Sequence, residues 1–263
     1  GGVALEASAV GTMKKPSVLL RGEALGIRQT ERVRRGARPS APVDGTLYAT
    51  YDGSRADVGM TIIDAGKPTL QGAFTSVMSL ASLLAGEVDV RASGDVRARS
   101  LRVGVLPVIG TNVKGTFDGD LLLRDYGKDA RVEAKLTGKD VSLDSVRVKT
   151  AEVRAFAHDT ELSAAVGLEQ TDGGWAGAEV QTGMRWGAAL APTRDPSHPL
   201  RLAYRVDAFQ LAALRPLVRN SLPELDGRVD GRGTLVREGG VDTASGSLAL
   251  RKGTAYVPLL GQN

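Results

Sequence analysis

Catalysis needs reactive side chains held close together, and this chain of 263 residues offers few candidates. Its two histidines, His158 and His198, lie far apart in sequence, and His198 falls in the turn-like run Asp195-Pro196-Ser197-His198-Pro199, where a solvated ring is expected. There is no cysteine, which removes disulfides, thiolate metal sites and thiol nucleophiles together. Asp118 and Asp120 stand two apart, as the paired acids of a glycosidase can, but they flank the alternation of Phe117 and Leu121 and so belong on the solvated side of a strand. Ser93-Gly94-Asp95 is not a nucleophile elbow, no phosphate loop is present, and no segment carries the dense oxygen ligands of a calcium loop. Trp175 and Trp186, each beside a glycine, admit both a ligand platform and a ring packed under a loop. The expectation is a protein that is not an enzyme, with no cofactor and no metal site.

Charge excludes a second class. Net charge is +4, from 34 basic and 30 acidic residues interspersed along the chain, a balance that gives solubility without a nucleic-acid footprint. The local exception, Arg28, Arg32, Arg34, Arg35 and Arg38 against the single Glu31, reads as a solvated loop or edge. No apolar run approaches the roughly 18 residues of a membrane span, so the segment is expected not to cross a bilayer. The N-terminus lacks a signal-peptide pattern, and Val3, Leu5, Ala7 and Ala9 alternate at once, as in the middle of a strand. The chain therefore reads as one continuous segment, residues 1–263, of a larger protein.

Alternation is the dominant signal, because successive strand residues point to opposite faces. Val88, Val90, Ala92, Gly94, Val96 and Ala98 share one parity, while Asp89, Arg91, Ser93, Asp95 and Arg97 share the other. The same sorting in Val113 to Leu123 and Val132 to Leu136, across Tyr126-Gly127-Lys128-Asp129, predicts a hairpin. Further strands are predicted near residues 46–51, 58–63, 146–149, 161–168, 178–185, 200–206 and 246–251. With 33 glycines and 4% aromatic residues, this is an all-β meander of a dozen or more antiparallel strands, polar on one face. Short helical insertions are expected near residues 75–84 and 209–218, the second capped by Asp207.

An apolar-x-Gly-x-apolar pattern recurs at Val43-Asp44-Gly45-Thr46-Leu47, Leu84-Ala85-Gly86-Glu87-Val88, Val113-Lys114-Gly115-Thr116-Phe117 and Leu225-Asp226-Gly227-Arg228-Val229. Asp118-Gly119 then matches Asp230-Gly231. Glycines repeated inside strands mark bends, bulges or close backbone approach in a curved sheet.

Val206-Asp207-Ala208-Phe209, Leu211 to Leu217, Leu225 to Gly231 and Gly246 to Gly253 together resemble the repeat of the TamB and AsmA-like family, as do Gly11-Thr12-Met13-Lys14-Lys15-Pro16 and Ala255 to Gly261. The good match covers roughly residues 1–20 and 206–261. The resemblance implies a long β-sheet curled into a groove, apolar inside, within a periplasmic, inner-membrane-anchored protein whose anchor is not in this chain. It also implies phospholipid transport between inner and outer membranes, with acyl chains as ligands, and a part in outer-membrane protein assembly with a barrel partner. The groove residues expected from the apolar parity of the matched repeats are Val113, Phe117, Leu121, Leu123, Val132, Leu136, Leu225, Val229, Leu235, Leu248 and Leu250. The alternative reading of the same alternation is a structural or adhesive β-repeat protein with a closed, dry core and no lipid ligand.

Overall fold

The alternating runs become one sheet. The structure, a computed structural model, describes residues 1–12, 15–27, 42–79, 91–102, 113–126, 130–143, 146–186, 192–214, 224–253 and 255–256. The basic run Arg28 to Arg38, residues 84–90, the turn residues 127–129 and residues 257–261 lie outside these.

Eleven strands follow one another in chain order and in space: β1 (Gly2–Thr12), β2 (Lys15–Ile27), β3 (Val43–Tyr51), β4 (Arg55–Asp64), β5 (Lys67–Val77), β6 (Arg91–Arg102), β7 (Val113–Tyr126), β8 (Arg131–Leu143), β9 (Val146–His158), β10 (Glu161–Gln170) and β11 (Trp175–Arg185). The short β12 (Thr193–Arg194) pairs on β11, whose ladder to β13 (Leu200–Gln210) continues the sheet. β14 (Glu224–Leu225) leaves the path and pairs with β17 (Ala255–Tyr256), while β15 (Arg228–Glu238) and β16 (Val241–Arg251) complete it. Every ladder is antiparallel, and the sheet of fifteen strands is open, with β1 and β16 at its edges. No helix among the described residues is long and apolar enough to cross a membrane.

One expectation of helix gives way to strand, and the other is shortened to a single 3-10 turn. Thr75 to Val77 belong to β5, where Leu70, Gly72, Phe74 and Ser76 keep the alternation and pair with β6; residues 80–84 lie outside the described residues. Phe209 and Gln210 end β13, because Phe209 pairs with Val229, and only Leu211–Leu214 form a 3-10 turn; residues 215–218 lie outside the described residues. Asp207 is a strand residue opposite Trp175, so it caps no helix.

Tight turns join several strands. Ala65-Gly66 and Gly239-Gly240 each have both φ angles positive, 50° and 76°, then 57° and 82°, the conformation whose twist matches that of the flanking strands.

The recurring Asp-Gly pairs have a shared task. Register shifts by one residue between β2 and β3, β6 and β7, and β13 and β15, each time leaving an extra residue at positive φ in the first strand: Gly26 (60°), Ser100 (49°) and Ala208 (45°). Its N–H donates to the aspartate of the facing Asp-Gly: Asp44 at 2.8 Å, Asp118 at 2.8 Å and Asp230 at 3.0 Å. The adjacent Gly45, Gly119 and Gly231 lie opposite Ala24, Ala98 and Val206. A bulge increases local twist, so three clamped bulges impose bends at defined ladders. The Ser100 N–H and, next, Lys139 hold the Asp118 carboxyl below its ordinary pKa, which makes Asp118 a structural clamp instead of a free surface acid. Loss of such an acceptor strands a backbone donor, so Asp230→Ala should cost about 1–2 kcal/mol, with most of it recovered in Asp230→Asn. The urea midpoints of the two variants measure this.

Most apolar surface stays in reach of solvent. A compact monomer of 27.5 kDa would expose roughly 11,000 Å², whereas this chain exposes 17827 Å². The largest of the buried apolar residues, Leu101, Met184, Phe209 and Val229, lie near strand ends.

Candidate functional site

Residues directly opposite in an antiparallel ladder share a face, so a face can be traced from strand to strand. One trace passes Leu5, Gly22, Leu47, Met60, Gly72, Val96, Leu121, Ala134, Ala155, Ala164, Val180, Leu202, Leu235 and Ala244. It crosses all fourteen strands of the path without a charged or hydrogen-bonding side chain. A parallel trace two residues away, from Val3 through Ile62, Leu70, Leu136, Val153 and Val166 to Gly246, contains one polar tip, the hydroxyl of Tyr204. Shorter traces flank these, one from Ala7 through Phe74, Leu123 and Val132 to Leu162, the other from Leu101 through Phe117 and Leu168 to Leu248.

The opposite face is polar. Because residues i and i+2 lie side by side there, Arg55 pairs with Asp57 at 2.8 Å, Arg97 with Asp95 at 3.3 Å and Arg154 with Glu152 at 2.7 Å along single strands. Exposed pairs of this kind, screened by water and salt, contribute little to stability. Their effect is to keep that face in water.

The apolar face is the concave one. Tyr126 belongs to it through the trace Tyr51, Ala56, Ser76 and Ala92, and its ring meets Trp186 at the end of β11, with centroids 5.5 Å apart and planes at 77°. Four ladder spacings separate β7 from β11, about 19 Å in a flat sheet, so the rings can meet only where the sheet bends toward this face. Near the same end Ala130, Ala157 and Met184 are buried. Trp186 is thus a clasp across the concavity. Trp175 is on the other face, its ring over Gly177, and is neither under a loop nor in the groove.

Glycine and aromatic residues fit together along the groove. A methyl placed on Gly138 would stand 2.7 Å from the Phe117 ring, and one on Gly233 would stand 2.7 Å from that of Tyr204. Each ring therefore lies flat over the neighbouring strand, covering backbone while keeping the groove floor shallow.

The expected groove residues are largely brought together. Leu121 and Leu235 lie on the central trace, Leu136 beside it, Leu123 and Val132 on one flank, and Phe117 and Leu248 on the other. Val229 and Leu250 face each other beyond, next to Phe209. Val113 stands in β7 opposite Leu143, past a bulge. Leu225 is not on this surface, because β14 pairs with β17 and Gly227, at φ 108°, turns the chain before β15 begins. Sequence reasoning missed the contributions of β1 to β6, β9 to β11 and β13, including Leu47, Met60, Phe74, Val96, Val153, Val166, Val180 and Leu202, although their alternation carried the signal.

The remaining candidates for chemistry each meet a neighbouring residue. His158 lies 3.1 Å from Asp159, and Asp120 pairs with Arg99 at 2.9 Å. His198 covers Gly183 in the connection from β11 to β13. In that connection the buried Asp195 accepts two bonds from Arg185, at 2.7 and 2.8 Å, and two from Ser197, at 2.7 and 3.0 Å. The guanidinium first, then the Ser197 hydroxyl and N–H, hold its carboxyl well below the ordinary range. A depressed carboxylate stabilises the fold fully above its unfolded pKa of about 3.9, and the contribution is lost as pH falls through the folded value. Asp195→Asn should therefore unfold at lower urea than the parent at pH 7, and the gap should narrow below about pH 4.

No family model, curated protein or solved structure matches this chain.

Proposed function

We propose that this chain is a segment of a lipid conduit, in which phospholipid acyl chains lie against the concave face while the polar face stays in water. The observation that carries this reading is the central trace from Leu5 to Ala244, unbroken by any polar side chain, on a face that no second sheet covers among the described residues. Thirteen ladder spacings make that trace about 60 Å long, roughly twice the ~30 Å hydrocarbon thickness of a bilayer. One lipid tail spans only about half a bilayer, so the surface suits successive molecules better than a single bound ligand. Burial of each methylene contributes about 0.8 kcal/mol, enough for a tail to bind without a dedicated headgroup site.

The resemblance to the TamB and AsmA-like family supplies the setting of the proposal: the periplasm, movement of phospholipid between inner and outer membranes, and a role beside an outer-membrane assembly barrel. The test is native mass spectrometry with lipid extraction on the chain purified from a diderm bacterial host. Co-purified phospholipid, together with lipid labelling from a photocrosslinking residue at Leu121, is the expected result. A lipid-free protein unlabelled from Leu121 would overturn the proposal in favour of a structural β-repeat.

A further inference from the structure

One rim of the groove is hollowed and charged. Where β4 turns into β5, and beside it where β6 ends against the start of β7, the strand ends enclose an open hollow of about 650 Å³. It adjoins the groove. Asp64 has the concave parity of Ile62 in β4, and Arg102 and Thr116 stand next to Leu101 and Phe117, which face each other on a flanking trace. Pro42, Ala65 and Pro68 supply apolar wall.

The polar groups of the hollow are arranged around one carboxylate. Lys67 stands directly opposite Asp64 in the ladder of β4 and β5, a position from which the two ordinarily pair. Here they do not. Asp64, only 8% exposed, accepts from Nε and Nη2 of Arg102, which holds the guanidinium side-on and leaves Nη1 outside the pair. The exposed Lys67 ammonium therefore has no anionic partner among the described residues, and no hydrogen bond there engages the hydroxyls of Ser100 and Thr116. Arg99, the remaining cation of the lining, is spent on Asp120 and on the carbonyls of Ala98 and Gly119. Lys67 and Arg102 against Asp64 leave the hollow one positive charge in excess.

We infer that this hollow takes the phosphodiester of a phospholipid headgroup, whose single negative charge matches that excess, while the acyl chains pass Leu101 and Phe117 into the groove. The Lys67 ammonium and Nη1 of Arg102 supply charge-assisted donors, and the two hydroxyls serve the remaining oxygens. A guanidinium already fixed by a carboxylate loses little freedom when it binds. Apolar wall beside cations suits a ligand that joins charge to hydrocarbon. Heads at this rim and tails across the floor give each lipid one orientation in the conduit. The inference rests on the lipid-conduit reading and adds a headgroup site to it.

Uptake from mixed vesicles of dioleoyl phosphatidylglycerol and dioleoylglycerol, which has the same tails and no phosphate, tests the site. The parent chain should retain the phosphatidylglycerol over the diacylglycerol by roughly tenfold. Lys67→Glu changes an exposed side chain that has no partner, so it should remove that preference and leave dioleoylglycerol uptake unchanged. Lys67→Arg should keep the preference. Arg102 is a poorer position for the test, because its loss strands the buried carboxylate of Asp64. The preference should persist in excess inorganic phosphate, since an ion without tails gains nothing from the groove. Equal retention of the two lipids by the parent, a preference that survives Lys67→Glu, or one abolished by inorganic phosphate would overturn the inference and leave the conduit reading standing. Uptake of neither lipid would overturn both. Far-ultraviolet circular dichroism confirms that each variant keeps its β-sheet.

Discussion

Leu121→Asp should reduce co-purified phospholipid by at least tenfold while leaving the sheet intact. Leu121 sits midway along the central trace, between Val96 on β6 and Ala134 on β8. Its replacement places a carboxylate on the groove floor, where an acyl chain crossing it would have to desolvate a charge, and even partial desolvation outweighs several buried methylenes. Because the residue is only half-buried, water reaches the new carboxylate in the lipid-free protein, and the cost falls on binding more than on folding. Phe117→Asp should act in the same direction. Leu248→Asp, on the exposed edge strand β16, should have a smaller effect, since a tail can stop short of it. Quantitative lipid extraction, with circular dichroism on each variant, measures all three. Equal lipid content in Leu121→Asp and the parent would sink the groove assignment.

The largest loss of stability is expected at Met184. It is fully buried at the end of β11, the largest such side chain among the described residues, and lies two positions from Trp186, whose ring meets Tyr126 across the concavity. Truncation of a buried methionine to alanine removes its transfer energy and leaves a cavity, together about 2–5 kcal/mol. Met184→Leu conserves volume and should cost less than about 1.5 kcal/mol. The sheet has few other buried large residues to share the loss, so the denaturation midpoint should move visibly. A Met184→Ala variant as stable as the parent would mean that the clasp end contributes nothing to holding the sheet curled.

The sequence makes the strands and their faces legible because alternation is local: Val96 or Leu121 announces its parity through its own neighbours. It misleads where alternation weakens. At residues 75–77 a run of small and polar residues reads as the start of a helix, yet ladder pairing with β6 carries β5 through it. Leu225 has the parity of a groove residue but sits before the turn at Gly227, and only the pairing of β14 with β17 reveals that it has left the sheet. The Asp-Gly repeat is visible as a pattern, whereas its use as a clamp is not. That use depends on Ser100 or Ala208 arriving opposite from another strand, at distances of eighteen and twenty-two positions along the chain. Tyr126 and Trp186 are further still beyond sequence reasoning, since their meeting is a product of accumulated curvature.

The order of the strands bears on how such a molecule comes into being. Along the path each strand pairs with the path strand that precedes it in the chain, so no ladder of the path waits for a segment beyond the next such strand to be synthesised. A chain emerging from the ribosome can therefore add one strand at a time to an edge already formed, with little loop-closure entropy at each step. Growth of this kind has no natural stopping point. Gain or loss of a hairpin leaves every remaining ladder intact, and a gene encoding this sheet can lengthen or shorten its product in pairs of strands without redesigning what it keeps.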